Sequence, residues 1–393
     1  MKRILLFIIA LLTLSLSLSA GSFLALNSFG KYNIQGDIRS FSMGGTGVAL
    51  ADEYNTSLIN PALAATKDRI YLNIGETFSS YSMDYARFSD FEPSGADFDM
   101  PYMNIIFPLP VKGVALSAHY YSPVNSGIEL HYNASENDYV EEVHYKNINF
   151  VEFGAAWRIL PSLSAGAGVL YAFGNERNEY TIVNEEFVND TTYNKWKYTY
   201  SGVGYHIGLL YHSSLFGAGI SYHPSFDISV SRSFNDAKIP PDTEFTYPAQ
   251  WTAGISVTPG EWTFTGEFST ADWSVTQYHD YPLEKMSRYS VGAEYDLKIP
   301  YKRHGNLKTF DIPVRLGYYS QTGFYQEGKE WGLTGGLSLF PFKSVSSARM
   351  DLFLSYGQRE TLLEDHFEGG EYGYQENFFT IGISFSATDK WYK

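Results

Sequence analysis

Apolar and polar residues alternate with a period of two from about residue 68 to the C-terminus, and helical periodicity is rare. In residues 251–257, Trp, Ala, Ile and Val alternate with Thr, Gly and Ser. A strand with one apolar face and one polar or small face gives this pattern. Fourteen strands are predicted, over residues 68–79, 102–108, 112–122, 148–159, 162–174, 195–213, 215–231, 246–259, 261–272, 286–299, 309–320, 330–341, 347–358 and 376–386.

The connections between these strands are alternately long and short. The short ones include residues 160–161, 213–214, 259–260 and 341–343, and that near 300–308 is the longest of this class. The long ones fall near residues 80–101, 123–147, 175–194, 232–245, 273–285, 321–329 and 359–375. Tight turns at one end, long loops at the other and an even strand number are typical of outer-membrane barrels. A soluble β-sandwich also alternates, but it gives no reason for this parity of loop length.

The predicted fold is therefore all-β, a transmembrane antiparallel β-barrel of about 14 strands with an N-terminal plug, or hatch, in its lumen. The expected divisions are a signal peptide at 1–20, the plug at 21–67, the barrel at 68–386 and a short tail at 387–393. Lys2 and Arg3 precede an apolar run that ends in small residues, which indicates a secretory signal. That run is short for a membrane-spanning helix of ~20 residues.

The composition of the chain argues against several classes of function. The 393 residues carry 28 Lys+Arg against 43 Asp+Glu, a net charge of −15, which argues against a nucleic-acid partner. No cysteine is present, so disulfides, thiolate zinc sites and cysteine nucleophiles are excluded. The histidines show no metal-ligand spacing, and no catalytic triad is recognisable. We therefore expect no enzyme activity, cofactor or metal. The acidic segments 80–101 and 359–375 are expected to be solvated loops, or sites where divalent cations bridge to lipopolysaccharide.

Residues 21–67 do not continue the barrel pattern. Gly44, Gly45 and Gly47 lie in a run of small and apolar residues, and Asn60-Pro61-Ala62 follows. Neither a preceding strand nor a following Lys-Ser/Thr supports a phosphate-binding loop. Compact glycine turns and short helices instead favour a plug folded inside the barrel.

This N-terminal run, Ser-Met-Gly-Gly-Thr-Gly-Val-Ala-Leu-Ala-Asp followed by Asn-Pro-Ala, resembles the signature of the FadL superfamily of outer-membrane transporters, TodX-like proteins included. Pro248-Ala249-Gln250-Trp251 with Ala271-Asp272-Trp273-Ser274 is similar to a strand pair of the family, and the strand at 313–318 to its Arg-Leu-Gly strand. PorV-like proteins of a secretion system share the plug motif.

The resemblance implies passive uptake of long-chain fatty acids or other hydrophobic molecules across the outer membrane of a Gram-negative bacterium. A movable hatch would use Gly44, Gly45 and Gly47 as hinges, with Asn60-Pro61 fixing its exit and Ala62 beside them. A static plug is the other interpretation. Two further functions stay open, a PorV-like component or adaptor of protein secretion and a polar-solute porin. Expected partners are the hydrophobic ligand, outer-membrane lipid and lipopolysaccharide, and the outer-membrane assembly machinery.

Candidate ligand contacts are few. The aromatic side chains of Tyr81, Phe88, Phe91 and Phe98 would form either an outer capture groove or a membrane-interface girdle. Arg158 and Arg315 fall on the polar faces of their strands, where each would hold a fatty-acid carboxylate or pair with an inward acid. The inward acids are Glu152, Glu267, Glu294 and Asp351. Pro224 interrupts its strand and marks either a lateral gap or the barrel rim.

Overall fold

The computed structural model describes residues 22, 29–52, 54–85, 94–133, 138–184, 191–277, 283–303, 306–340, 348–364 and 371–389. The predicted signal peptide at 1–20 lies outside the described residues. The strands are β1 (Lys31–Tyr32), β2 (Ile70–Tyr85), β3 (Ser94–Pro108), β4 (Val114–Asn133), β5 (Asp138–Leu160), β6 (Leu163–Asn184), β7 (Thr191–His212), β8 (Phe216–His223), β9 (Phe226–Phe234), β10 (Ala237–Tyr247), β11 (Gln250–Val257), β12 (Trp262–Asp272), β13 (Leu283–Arg303), β14 (Asn306–Tyr325), β15 (Lys329–Leu339), β16 (Ala348–Glu364) and β17 (Glu371–Asp389). One α-helix, α1 (Ile38–Ser42), and two 3₁₀ helices, Pro61–Thr66 and Trp273–Val275, complete the described elements.

The strands form a closed antiparallel barrel. Sequential neighbours pair from β2 to β8 and from β11 to β17, β9 pairs with β7 and β10, and β8 pairs with β11. β17 closes the ring by pairing with β2, from Tyr374↔Tyr85 to Asp389↔Ile70. β8 with β9, and β10 with β11, each form one interrupted wall strand. The wall therefore has 14 strands, which confirms the predicted fold class. In the described residues, no helix is long and apolar enough to cross a membrane.

All fourteen predicted strands are present, but the predicted long loops are wrong in extent. β4 continues to Asn133 and β5 begins at Asp138, so most of the loop expected at 123–147 is a paired hairpin. The stretches near 175–194 and 232–245 are likewise mostly strand. These extensions lie beyond the lipid-facing part of the wall, where no apolar outer face is required. Backbone pairing persists there without the alternation that reveals a strand in sequence. The connection at 341–343 and the last residues, 390–393, lie outside the described residues, and β17 runs past the expected end at 386.

The two faces of the wall have opposite character. Outward side chains such as Phe153, Trp157 and Leu316 are 66%, 55% and 69% exposed, which suits a lipid-facing surface. The inward face carries buried polar groups together with an aromatic core. That core includes Phe29, Tyr32, Tyr102, Phe150, Tyr247, Trp273 and Phe324. Two of its members, Phe29 and Tyr32, precede the barrel strands, so the N-terminal segment packs into the interior.

Candidate functional site

Residues 29–52 and 54–67, here called the plug, lie against the inner face of the wall. Ile38, Met43, Leu58 and Leu63 of this segment are 0–1% exposed. β1 adds its two residues to β4 through Lys31↔Asn125 and Tyr32↔Val124. The 3₁₀ helix Pro61–Thr66 packs on the strands from β3 to β7. Burial of these apolar side chains favours the seated position of the plug.

The plug turns at Gly44 and Gly45, where the backbone has φ angles of 73° and 87°. A side chain is strained at such angles, so glycine is required for the turn. The Gly44 amide donates to Thr334 Oγ1 at 2.9 Å, and the Gly44 carbonyl accepts from Arg288 Nη2 at 3.2 Å. Two of the three predicted hinge glycines therefore form a turn that is hydrogen-bonded to the wall.

The third predicted hinge, Gly47, has its own anchor. The amides of Gly47 and Val48 both donate to Glu267 Oε2, at 2.8 and 2.9 Å. Glu267 lies on β12 and is 9% exposed. One carboxyl oxygen that accepts two successive backbone amides fixes this part of the plug to β12.

Asn60, Pro61 and Ala62 form the start of the 3₁₀ helix. The Asn60 side chain accepts from the Ala62 amide at 3.0 Å and donates from Nδ2 to the carbonyls of Val48 and Leu209, each at 3.0 Å. Pro61 occupies the first helical position, where its missing N–H costs nothing. One amide side chain thus caps the helix and ties two plug segments to β7.

Glycines on the wall admit the plug backbone. A Cβ added to Gly292 would lie 2.5 Å from Met43 Cβ, and one on Gly166 would lie 2.5 Å from the Ala62 amide nitrogen. Gly219, Gly317 and Gly336 are equally close to plug atoms. The space beside these five inward glycines is occupied by the plug.

A chain of buried charges joins the plug to β13–β16. Arg39 places Nε 3.0 Å from Glu294 Oε2 and Nη2 2.6 Å from Oε1, and its Nη1 contacts Asp52. Glu294 also accepts from Arg315, and Arg315 Nη1 lies 3.0 Å from Asp351 Oδ1, which Arg349 contacts too. We call Asp52, Arg39, Glu294, Arg315, Asp351 and Arg349 the ion chain. Its three acids balance its three arginines.

Asp52 is the plug's acidic member of this chain. Burial disfavours its charged form, but Arg39 and then Lys67 outweigh that effect and hold the pKa of the Asp52 carboxyl below its usual value. Lys67 Nζ also donates to the Asp52 carbonyl at 2.6 Å. The ion pair with Arg39 is therefore formed at neutral pH.

The two predicted arginines lie apart and have different partners. Arg315 is 1% exposed and held by Glu294, Asp351 and Ser338, so its guanidinium is engaged in internal pairing. Arg158 lies near the end of β5 and donates from Nη2 to the Ala65 carbonyl at 2.7 Å. Internal ion pairing, one of the two sequence-based interpretations, describes Arg315. Arg158 instead holds the end of the plug.

A different cluster meets the plug on the opposite wall. His206 Nδ1 lies 3.2 Å from both Glu152 oxygens, and the rings of His206 and His223 stack with centroids 3.7 Å apart. His119 completes this histidine cluster, with Nδ1 2.7 Å from Asn104 Oδ1. Two plug side chains touch it. Ser57 Oγ lies 3.4 Å from His119, and Gln35 Nε2 lies 3.3 Å from His223.

The wall is interrupted beside the histidine cluster. β8 ends at His223 and β9 begins at Phe226, with Pro224 between them, while β10 and β11 are separated by residues 248–249. β7 pairs with β9 up to Gly202 and with β8 from Ile207, so residues 203–206 have no ladder partner on that side. Pro224 thus marks a gap in wall pairing rather than only the rim.

The four aromatic residues proposed as ligand contacts do not form one described group. Phe88 and Phe91 lie outside the described residues. Phe98 lies on β3 opposite Phe78 of β2 and is partly buried. Tyr81 is 3% exposed and accepts a hydrogen bond from Lys31 Nζ at 2.9 Å. Tyr81 therefore faces the lumen and lines a cavity there rather than the membrane interface, and its part in a capture groove stays a prediction.

Two cavities border the plug, and both mix polar with apolar lining. One of about 130 Å³ lies among Lys31, Phe41, Arg288, Glu330 and Phe353. The other, of about 380 Å³, lies between plug residues 49–52 and the turns at the short-turn end of the barrel. Arg39 and Arg349 of the ion chain line the second cavity.

The sequence of this plugged barrel matches the model of one protein family. The family model described as BamG matches residues 1–393, the entire chain. The chain belongs to the BamG family. No curated protein matches it.

Several solved structures share the fold of this BamG-family barrel. A FadL homologue from Pseudomonas aeruginosa is 10% identical, with a TM-score of 0.61 over 91% of this chain and 99% of its own. The toluene transporter TodX of P. putida is 15% identical, with a TM-score of 0.59 over 93% and 100%. The toluene transporter TbuX of Ralstonia pickettii is 15% identical, with a TM-score of 0.58 over 93% and 99%. At these identities the likeness is one of fold.

Sequence reasoning missed Arg39, Asp52 and the histidine cluster as a unit. Arg39 and Asp52 flank the glycine run of the plug, and both are charged residues in a segment expected to be enclosed. A charge in such a segment needs an opposite charge on the wall. That requirement is a signal for an ion chain, although the identity of the partner depends on strand register.

Proposed function

We propose that this chain is a sealed outer-membrane barrel that acts as a structural adaptor in outer-membrane protein assembly. The observation that carries the proposal is the attachment of the plug to the wall by Arg39 and Glu294 within a buried ion chain. Breaking one such buried pair costs about 3–5 kcal/mol, so a fixed plug is favoured over one that opens often. Membership of the BamG family supports an assembly context.

A sealed barrel acts through its surfaces. The hairpins β4–β5 and β6–β7 extend the wall well beyond the ~10 residues that span a bilayer. At the other end, the turns and the periplasmic face of the plug form the second surface. Partner proteins on either side of the membrane would bind at these places.

Affinity purification from native outer membranes tests this function. The tagged chain is expected to copurify with the central barrel of the assembly machinery, and an unrelated tagged barrel is the control. Depletion of the chain should lower the outer-membrane levels of other barrel proteins. Purification of the chain alone, with unchanged barrel levels after depletion, would contradict the proposal.

A second candidate is passive uptake of a hydrophobic molecule, including a long-chain fatty acid. The gap in wall pairing at Pro224 and the FadL-type fold favour it. Here the plug would be a hatch that moves at Gly44, Gly45 and Gly47, with Asn60-Pro61-Ala62 as its fixed end. Because Arg315 is already paired with two acids, a fatty-acid carboxylate would have to displace them.

Uptake of labelled oleate separates the two functions. A Gram-negative host lacking its own fatty-acid transporter would carry the chain or an empty vector, with outer-membrane insertion checked in parallel. The adaptor function predicts equal uptake in both strains. Increased uptake, abolished by a disulfide engineered between plug and wall, would establish the transport function instead.

A further inference from the structure

Above the lipid-facing band, four neighbouring strands align a row of side chains on the inner face of the wall. His144 of β5 lies opposite Asn178 of β6, Asn178 lies opposite Trp196 of β7, and Trp196 lies opposite Phe234 of β9. The next row places Tyr180 of β6 opposite Asn194 of β7. We call these six residues the aromatic–amide platform. Side chains directly opposite on one face of a sheet are in contact distance, so they form one surface.

Trp196 is the centre of the platform. Its side chain is 39% exposed, although it lies on the inward face of β7. Its ring is 4.7 Å from the Phe234 ring and 6.5 Å from that of Tyr198, with the latter at only 16°. Packing against two rings holds the indole in place. An aromatic surface is thus presented to the solvent without the entropy cost of ordering a mobile side chain.

Two polar members of the platform, His144 and Asn178, are also held in position. His144 Nδ1 lies 3.1 Å from Asn178 Oδ1, and Asn178 Nδ2 donates to Glu176 Oε1 at 2.9 Å. His144 Nε2 lies 3.2 Å from Glu142 Oε2. Amide and imidazole groups both donate and accept hydrogen bonds, which suits a ligand with many hydroxyl groups.

The nearby charges are paired with one another. Glu179, which borders the platform, lies 3.8 Å from Lys195 and 3.6 Å from Arg177. Glu142 contacts His144. Lys195 also lies 3.5 Å from Asp236, so bases do not outnumber acids around the platform. The surface therefore offers ring faces and hydrogen-bonding groups beside charges that are already engaged, which disfavours an anion and suits an uncharged polar ligand.

We propose that the aromatic–amide platform binds a neutral saccharide, with the apolar C–H face of a sugar ring on Trp196 and its hydroxyl groups on Asn178, Asn194 and His144. By the orientation rule for outer-membrane barrels, the platform faces the cell exterior. The saccharide would come either from a free glycan or from the headgroup of a glycolipid. This site is independent of the proposed assembly function.

Saturation-transfer NMR on the full chain tests the site. The protein is kept in an amine-oxide detergent, because a glucoside or maltoside detergent would compete. Methyl glycosides of glucose, galactose and mannose, and maltotriose, form the free-saccharide arm. Nanodiscs with a digalactosyl lipid form the glycolipid arm. Signals in the first arm assign a free glycan, whereas signals in the second alone assign a lipid headgroup.

Trp196→Ala should weaken binding about tenfold or more, since it removes the ring surface. Asn194→Ala is the second variant, and it should weaken binding while leaving the aromatic packing intact. Tyr205→Ala is the matched control, because Tyr205 is 59% exposed on the opposite face of the same strand. Heat-modified gel migration confirms a folded barrel for each. Absence of saturation transfer in both arms, or equal binding by Trp196→Ala and Tyr205→Ala, would overturn the proposal.

Discussion

The plug meets the barrel in two different ways on opposite walls. On β13–β16 the contact is the ion chain, in which Arg39 and Glu294 are ionic partners. On β4–β8 it is the histidine cluster, which Ser57 and Gln35 touch through neutral hydrogen bonds. Wall pairing is also different, since the gap at Pro224 adjoins only the histidine cluster. Ion pairs therefore attach the plug to the continuous wall. On the interrupted wall it is held by hydrogen bonds instead, among them Asn60 to Leu209, Arg158 to Ala65 and the pairing of β1 with β4.

The largest expected effect is on the anchored side. Glu294→Gln removes the charge that both Arg39 and Arg315 contact, and it leaves two buried guanidinium groups without their shared partner. We expect a loss of about 3–5 kcal/mol in the free energy of unfolding. Guanidinium titration of the barrel in lipid vesicles measures it. Glu261→Gln is the control, because its pair with Lys298 is solvent-exposed and its loss should not be measurable. Equal effects of the two substitutions would refute the anchor.

The close contact between wall glycines and the plug predicts the second-largest loss of stability. Gly292→Ala places a methyl group against Met43, so the plug backbone or β13 must shift, at a cost of about 1–3 kcal/mol. Gly266→Ala is matched, since a Cβ on that neighbouring-strand glycine has nothing within 4 Å. The same titration applies. If both alanines were tolerated equally, the plug would not be seated against the wall as described.

The histidine side should be less sensitive. Glu152→Gln keeps an oxygen and adds donors beside His119 and His206, so the cluster retains hydrogen bonds. We expect a cost of about 1–2 kcal/mol, smaller than that of Glu294→Gln. The losses of unfolding free energy for Glu152→Gln and Glu294→Gln, measured in one vesicle preparation, compare the two walls directly. A larger loss of unfolding free energy for Glu152→Gln than for Glu294→Gln would show that the interrupted wall holds the plug more firmly.

The smallest effect concerns the gap itself. Pro224→Ala restores one backbone donor, but Pro248 interrupts the adjacent strand pair as well. Global stability should stay within about 0.5 kcal/mol. Hydrogen exchange of those amides at 203–206 that point away from β6 should remain faster than that of their flanks. Protection restored by this one substitution would show that Pro224 alone makes the gap.

The strands were predictable because lipid forces an apolar outer face at every second residue. Where the wall leaves the lipid, as at 123–133, this constraint ends, and the pattern predicts a loop where the structure has a strand. The site was predictable only in part. Gly44, Gly45 and Asn60 carry local backbone requirements that their residue types reveal. Their partners, such as Thr334 and Leu209, lie on strands distant in sequence.

Arg315 shows why partner choice is harder. Alternation places it inside the barrel, and Glu294 and Asp351 are inward by the same rule. Choosing between a ligand and these acids requires the register of β13, β14 and β16. Arg39 is harder still, because its own segment has no periodicity. The strand register and the position of the plug depend on the packing of the whole barrel. The alternation within a single strand does not determine either.

Hydrogen–deuterium exchange of the wild-type chain in lipid nanodiscs tests the central claim most directly. A plug anchored by the ion chain predicts that the amides of residues 38–66 exchange as slowly as those of β13–β16, in global openings of the barrel. Fast exchange of this segment beside protected strands would show a plug that leaves its seat on its own. That result would contradict the sealed barrel and favour the moving hatch.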